Sequence, residues 1–215
     1  MIPAWNESKN IVSVLQDVKP SVDEVVVVDD GSTDDTSELA ARSGVTVLRH
    51  IINRGQGAAL RTGTEYALAN GADIIVHFDA DGQFLPEEIS KIAAPIISGE
   101  AEMVFGSRFL GIGSNMPAFK KLVIMPLAKF VNRVFLNIKT TDPQSGFRAF
   151  SRRAAEIVKW HQDDWAHCSE IISAAGRSGL AIKEVPMTVI YRHFGSGLGR
   201  GFKILKDLFI TRLIN

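Results

Sequence analysis

The chain of 215 residues has the length of one domain, with 46% hydrophobic and 22% charged residues and no low-complexity tract or internal repeat, so disordered and repeat architectures are excluded. Its charges cancel overall but not locally: residues 1–107 carry 7 basic and 17 acidic residues, and residues 108–215 carry 17 and 7. This asymmetry indicates one domain with an acidic half suited to cations and a basic half suited to phosphates or an anionic membrane surface. A chance partition of solvated charges is the alternative.

Cysteine content and hydropathy bear on the compartment. Cys168 is the single cysteine, which excludes a disulfide framework and favours a reducing compartment, and the helical spacing around it predicts a buried, unreactive thiol. There is no run of about 18 apolar residues and no apolar core of a signal peptide. We therefore expect a cytoplasmic protein without a membrane span.

The first half of the chain alternates predicted strands and helices. Apolar runs predict strands at 24–30, 45–50, 72–81 and 101–109. Capping residues or proline at the start, and glycine near the end, predict helices at 31–44, 55–71 and 86–99. This order is typical of a doubly wound α/β sheet, in which ligands bind at the carboxyl ends of the strands. The segments DDGS, FDAD and GSRF should therefore converge on one cleft.

The second half is less regular. Residues 120–138 are too polar to span a bilayer and too apolar for a solvated loop. A turn, a strand and a helix are predicted over 140–160, then a helix through Ile172 and a strand over 181–192. Residues 201–215 form a basic amphipathic pattern, which predicts a helix that lies on a membrane surface or packs on its own core.

Asp79, Asp81 and Gln83 alternate along an extended segment and could share one face. Their oxygen atoms suit a hard divalent cation, Mg²⁺ or Mn²⁺, which usually completes its coordination with substrate phosphates. The spacing therefore favours a metal-bound diphosphate. Solvated or capping aspartates ahead of the helix that starts at Pro86 are the alternative.

Seven segments, taken together and in order, resemble the family 2 glycosyltransferases of the GT-A fold over essentially the whole chain. They are IPAWNE (2–7), VVVDDGSTDDT (26–36), NRGQGAALRTG (53–63), DADGQ (79–83), GSRF (106–109), DPQSGFR (142–148) and EVP (184–186). The closest likeness is to dolichyl- or polyprenyl-phosphate sugar transferases, which move mannose or glucose onto a lipid phosphate. The resemblance implies a Rossmann-like, mostly parallel central sheet flanked by helices, with amphipathic helices at the C-terminus.

The resemblance also implies roles on the donor side. The residues that match the nucleotide site are Pro3, Ala4, Trp5, Glu7 and Asp30. A tyrosine is more usual than tryptophan at the third of these positions, and Asp30 would meet the ribose or base unless it serves as a helix N-cap. Asp79, Asp81 and Gln83 match the metal and diphosphate site.

On the acceptor side, Arg108 and Lys120 match ligands of the acceptor phosphate, and Arg148 lies in the segment that faces the acceptor. Lys120 could instead be an ordinary solvated charge. A lipid monophosphate, with a second pKa of about 6, is already largely a dianion at neutral pH, so it needs cations rather than a general base. We therefore expect direct, inverting attack on the anomeric carbon, with Asp81, Arg108 and Asp142 as candidate catalytic residues. Asp142 is the candidate base if one is needed, and it could equally fix its turn.

Two departures from the family's pattern stand out. Met1 directly precedes IPAWNE, where relatives have an apolar strand, so we expect the first strand to be mostly missing. In residues 192–203, Gly197 replaces a lysine that approaches the diphosphate in relatives. Arg192, Arg200 or Lys203 could substitute for it on a glycine-rich loop that closes over the donor.

Three functions are compatible with these features. The first is metal-dependent transfer of mannose or glucose, from GDP-mannose or UDP-glucose, to a polyprenyl phosphate by a protein that is peripheral on the inner face of the membrane. The second is transfer to a saccharide hydroxyl, and the third is a non-catalytic nucleotide-sugar binding module. A dinucleotide-binding protein is disfavoured because Leu60 replaces the third glycine of that motif, and no nucleic-acid partner is expected.

Overall fold

A computed structural model describes residues 1–110 and 140–190 of the chain. The strands in these ranges are β1 (Ile2–Ala4), β2 (Val26–Asp29), β3 (Thr46–Arg49), β4 (Ile74–His77), β5 (Met103–Ser107), β6 (Arg148–Ser151) and β7 (Ile182–Pro186). The α-helices are α1 (Ile11–Val18), α2 (Thr36–Arg42), α3 (Gln56–Ala69), α4 (Ile89–Ile97), α5 (Arg152–Ile157) and α6 (His167–Arg177). The predictions for Lys120, Arg192, Arg200, Lys203 and the C-terminal helix lie outside the described residues.

The strands form two hydrogen-bonded groups that Met1 connects. β1, β2 and β3 are parallel in that order, and the second group has the order β4-β6-β5-β7. The Met1 amino group donates to the Val76 carbonyl at 2.9 Å, and the Phe78 N–H donates to the Met1 carbonyl at 3.0 Å. Because one residue bonds on both sides of His77, this is the pattern of a parallel pair. Hydrogen bonding therefore continues from β1 to β4.

The predicted mostly parallel α/β sheet is confirmed, with one exception. β6 runs antiparallel to both β4 and β5, whereas β5 and β7 are parallel. Alternation of strands and helices in the sequence does not reveal the direction of a strand that follows a long connection. The expectation that the first strand is mostly missing needs correction, since the three residues of β1 pair in register with β2.

Hydrophobic residues pack on both faces of the sheet. On β5, Val104 belongs to a cluster with residues of α1 and α4, while Met103 and Phe105 belong to a second cluster with residues of α5 and α6. This alternation follows from the two-residue period of a strand. The fold is therefore a sheet between two helical layers, and the loops at the carboxyl ends of its strands are left to build a site. None of the helices in residues 1–110 and 140–190 is long and apolar enough to cross a bilayer.

Candidate active site

Asp79 and Asp81 follow β4 at the carboxyl edge of the sheet, as the sequence predicts. The side-chain amide of Gln56, at the start of α3, donates to Asp79 Oδ1 at 3.0 Å. The Gln83 N–H donates to Asp81 Oδ1 at 3.0 Å, so Gln83 supports Asp81 through its backbone. The backbone of Gly146 packs against Asp79, because a Cβ at that glycine would lie 2.7 Å from Asp79 Oδ2. These contacts fix the positions of both carboxylates after β4.

The electrostatics of this cluster fit a cation. Burial, followed by repulsion from Asp81, raises the pKa of Asp79 to about 7. Burial also raises the pKa of Asp81. Burial is again the first cause of the raised pKa of Glu7, which is pushed further by Asp81. Burial disfavours the charged forms of all three carboxyl groups, and repulsion from Asp81 adds to this at Asp79 and Glu7; a divalent ion bound beside them would stabilise the charged forms.

The donor set is incomplete without a substrate. Within residues 1–110 and 140–190, no group of three or more His, Cys, Asp or Glu side chains could hold a metal ion. Asp79 and Asp81 supply two hard oxygen ligands, and Mg²⁺ typically binds to one or two carboxylates plus waters and substrate phosphates. The residues present therefore fit a metal site that a diphosphate completes.

The loop that follows β1 is tied to the turn that follows β2. The Asn6 N–H donates to Ser32 Oγ at 2.9 Å, and the Glu7 N–H donates to Thr36 Oγ1 at 2.8 Å. Pro3 and Ala4 are buried in β1, so they can offer a ligand only backbone atoms. Trp5 differs from them because it is 54% exposed at the end of the strand, where its ring is free to meet a base.

Asp30 has a role that the sequence did not indicate. Its buried carboxylate accepts hydrogen bonds from the Arg54 N–H at 3.0 Å and the Gly55 N–H at 2.7 Å, and it contacts His50 Nδ1 at 2.6 Å. Asp30 therefore holds the NRGQG loop. The alternative of a helix N-cap is wrong, since the N-cap of α2 is Asp35. A direct contact of Asp30 with the nucleotide stays a prediction.

The glycines of the NRGQG segment (53–57) let the loop at residues 160–164 pack closely against it. A Cβ at Gly57 would collide with the Gln162 carbonyl. The Gly57 N–H donates to the Asp163 carbonyl at 2.7 Å, and Trp160 Nε1 donates to the Gly57 carbonyl at 2.9 Å. This packing places Gln56 against Asp79. Sequence reasoning missed Gln56, and its only signal was a polar residue between two glycines at a helix start.

Arg108 follows β5 and is held by Asp142. Asp142 Oδ2 accepts from Arg108 Nε at 2.6 Å and from its N–H at 3.1 Å, and Oδ1 accepts from Nη2 at 2.6 Å. Asp142 is fully buried, whereas the side chain of Arg108 is 19% exposed. Both carboxylate oxygens are engaged, which supports the turn-fixing role of Asp142 over that of a base. Glu184, in the EVP segment, in turn accepts from the Thr141 N–H at 2.8 Å.

The structure places Arg148 away from any surface that an acceptor could reach directly. It opens β6 with no exposed area and donates to the carbonyl oxygens of Ser145 and Gly146 and to Cys168 Sγ. The prediction that Arg148 faces the acceptor therefore needs correction, because a direct contact would require this side chain to leave all these partners. The DPQSGFR segment still joins the two sides of the site, since Asp142 binds Arg108 and Gly146 packs on Asp79.

Comparisons with known proteins identify the class. Residues 1–158 match the model of Glycosyl transferase family 2. The UDP-N-acetylglucosamine–dolichyl-phosphate N-acetylglucosaminyltransferase of Methanococcus voltae is 35% identical over 239 residues, covering 99% of this chain and 95% of the relative. The polyprenol monophosphomannose synthase of Mycolicibacterium smegmatis is 31% identical over 222 residues, covering 97% and 83%.

A solved structure shares the architecture. Glucosyl-3-phosphoglycerate synthase from Mycobacterium tuberculosis, in complex with Mg²⁺ and UDP, superposes with a TM-score of 0.75 at 26% identity, covering 99% of this chain and 76% of that one. The same enzyme with Mn²⁺, UDP and phosphoglyceric acid also gives a TM-score of 0.75. The fold and the family match thus define a glycosyltransferase of the GT-A type. The chain belongs to glycosyl transferase family 2.

Proposed function

We propose that this glycosyltransferase moves a hexose, mannose or glucose, from a nucleoside-diphosphate sugar to a polyprenyl or dolichyl phosphate, with inversion at the anomeric carbon. The observation that carries the proposal is the link between an acidic donor cluster and a fixed guanidinium through the DPQSGFR segment: Gly146 packs on Asp79, and Asp142 binds Arg108. The names of the relatives from Methanococcus voltae and Mycolicibacterium smegmatis, a dolichyl-phosphate transferase and a polyprenol monophosphomannose synthase, support the acceptor class.

The donor side binds the nucleoside diphosphate. Trp5 is exposed where a base could stack, and the loop that carries Glu7 is tied to the turn after β2. Asp79 and Asp81 would hold Mg²⁺ or Mn²⁺, and the metal, when bound, supplies positive charge that stabilises the departing nucleoside diphosphate. The two complexes of the Mycobacterium tuberculosis enzyme contain these ions together with UDP, which supports this assignment.

The acceptor side binds and aims a phosphate. A planar guanidinium presents several N–H donors in a fixed geometry, and Asp142 holds that of Arg108 through Nε and Nη2. A phosphate monoester dianion can attack the anomeric carbon without losing a proton. Asp142 is therefore used here to orient Arg108, and the reaction needs no general base. A saccharide hydroxyl as acceptor would need one.

The acceptor is a membrane lipid, so we also propose that the protein acts peripherally at the inner face of the membrane, in the cytoplasm. The excess of basic residues in 108–215 suits that surface, since anionic lipids attract clustered lysine and arginine. This part of the proposal is tested by sedimentation with vesicles that contain anionic lipid, compared with neutral vesicles at the same salt concentration. Equal binding to both would contradict it.

A donor and acceptor screen tests the function. The purified protein is incubated with Mn²⁺, a short polyprenyl phosphate, and GDP-mannose, UDP-glucose or UDP-N-acetylglucosamine, and the lipid product is identified by mass spectrometry. We expect one donor to give a glycosyl phospholipid and Asp81→Asn to abolish the product. Transfer to free saccharides but not to the lipid phosphate would overturn the acceptor assignment.

A further inference from the structure

Arg148 is the bulkiest of the fully buried side chains in the described residues. Removing a guanidinium from water is unfavourable by several kcal/mol unless close partners compensate, so a buried arginine requires an explanation. Within residues 1–110 and 140–190, the guanidinium donates to two carbonyl oxygens and a thiol sulfur, and Nη1 has no hydrogen-bond partner. The function proposed above does not use this side chain.

The guanidinium folds back onto the turn that precedes its own strand. Nη2 donates to the Ser145 carbonyl at 2.9 Å, and Nε donates to the Gly146 carbonyl at 3.3 Å. The same Nη2 contacts Cys168 Sγ at 3.2 Å, and Cys168 lies on α6. One side chain thus fastens the Ser145–Gly146 turn to a helix in the second half of the chain.

Cys168 suits the role of counter-group. His167 Nε2 lies 3.5 Å from its sulfur, which Arg148 Nη2 also contacts. Burial disfavours the thiolate, but attraction by His167 and Arg148, with their hydrogen bonds, lowers the pKa of Cys168 to about 6. The cysteine is buried, as its sequence context predicts. Its sulfur also provides a polar contact for the Arg148 guanidinium.

The fastened turn touches both parts of the site. Gly146 packs on Asp79, with space for no side chain, so a shift of the turn would move this carboxylate or open a gap beneath it. At the other end, the Ser145 N–H donates to the Asp142 carbonyl at 3.3 Å, and Asp142 holds Arg108. The position of the turn therefore sets the donor-side carboxylate and the acceptor-side cation together.

We propose that Arg148, held by Cys168 of α6, is a positioning residue for sugar transfer: it clamps the Ser145–Gly146 turn and so fixes Asp79 relative to Arg108. This inference rests on the proposed function for its effect on transfer, whereas its effect on the donor-side site is independent of the acceptor. The permanent charge and planar fork of arginine suit the clamp, and lysine would keep the charge but lose the paired hydrogen bonds.

The test uses Arg148→Lys and Cys168→Ala. Mn²⁺ affinity in the presence of UDP is measured by electron paramagnetic resonance, and kcat and KM are measured for transfer. Loss of a group that orients a metal ligand typically weakens metal binding or activity by roughly 10–100-fold, so we expect a loss in this range for Arg148→Lys and a smaller loss for Cys168→Ala. Arg152→Lys is the matched control: this exposed arginine follows the other end of β6 and donates to the carbonyls of Ala72 and Leu68, before β4 rather than after it, so it should leave both quantities unchanged.

The outcomes separate the clamp from the function. If both variants fold, as judged by circular dichroism, and bind Mn²⁺ and UDP like the original protein, the clamp is refuted. If Arg148→Lys does not fold, Cys168→Ala decides by the same affinities, and unchanged values refute the proposal. If the original protein glycosylates no lipid phosphate but Arg148→Lys still weakens Mn²⁺ binding, the proposed function fails and the clamp stands.

Discussion

Replacement of Asp142 by asparagine separates two roles for this carboxylate, since it removes the charge while the size of the side chain is kept. In the structure, Asp142 accepts three hydrogen bonds from Arg108, two of them at 2.6 Å. The asparagine carbonyl can still accept one or two of these, but its amide group faces a guanidinium that has no lone pair to offer. If Asp142 orients Arg108, the variant should bind the lipid phosphate less well.

The expected size follows from burial. Removing one partner of a buried ion pair typically destabilises a protein by roughly 3–5 kcal/mol. The carboxylate is fully buried, but the side chain of Arg108 is 19% exposed, so water compensates it in part. We therefore expect the free energy of unfolding to fall by about 2 kcal/mol, close to the value of hydrogen bonds to charged groups. Urea denaturation followed by circular dichroism measures this loss.

Kinetics distinguish orientation from proton abstraction. For orientation, we expect KM for polyprenyl phosphate to rise by about tenfold, the equivalent of about 1.4 kcal/mol. The acidic limb of the pH–rate profile should remain, because the acceptor phosphate still titrates near pH ~6. For a general base, kcat would fall by about 10²–10⁴-fold and the limb that belongs to that base would vanish.

Asp142→Glu provides the control, since it restores the charge with one additional methylene group. A double-mutant cycle with Arg108→Lys measures whether the two side chains act as a unit, and we expect strong non-additivity because they are in contact. A fall in kcat of Asp142→Asn by a hundredfold or more, with an unchanged KM and recovery in Asp142→Glu, would refute the orienting role.

Three further predictions concern the donor side and the packing beneath it. Asp81→Asn should raise the melting temperature of the metal-free protein, because it removes repulsion from Asp79; an unchanged or lower value would mean that the two charges do not interact. The free energy of unfolding of the metal-free protein should fall as pH rises from about 4 to about 7, since the native state keeps the Asp79 proton that the unfolded state loses. Mn²⁺ affinity should rise over the same range, because the metal binds the deprotonated carboxylate. Gly57→Ala should destabilise the protein in thermal melts, because the added Cβ would collide with the Gln162 carbonyl. Gly176→Ala in α6 has open space around it and should stabilise the protein by about 0.5–1 kcal/mol. Equal effects of the two substitutions would contradict the packing argument.

The elements with strong local signals could be predicted from sequence. The run EVVVVDD predicts a strand because β-branched residues and a continuous apolar pattern indicate burial on both faces, and β2 lies within it. Glycines at 44 and 71 predict helix ends because they adopt a positive φ at little energetic expense, and both do so after α2 and α3. Helix α1 was not predicted, although its buried residues Ile11, Val14, Leu15 and Val18 recur at helical spacing.

The contacts that assemble the site depend on distant residues, which limits prediction. The position of Asp79 and Asp81 after a strand follows from local pattern, but the Gln56 contact joins residues 23 positions apart and depends on how α3 packs. Arg148 shows the same limit. A basic residue in a family motif indicates an anionic ligand, yet β6 lies between β4 and β5, and Arg148 at its start is buried. The place of a strand in the sheet is a property of the whole sheet and leaves no local mark.

The carboxylates of the donor cluster and the Arg108 guanidinium should differ in how ligand binding depends on the metal. Burial and repulsion from Asp81 disfavour the charged forms of Asp79 and Glu7 when no cation is near, so a divalent ion and a diphosphate each make the other's binding more favourable. Arg108 needs no such partner, because Asp142 already fixes it. Donor binding should therefore depend on the metal, whereas binding of the lipid phosphate should not. Polyprenyl phosphate that binds equally well with and without Mn²⁺ would agree with this separation, and strict metal dependence of acceptor binding would contradict it.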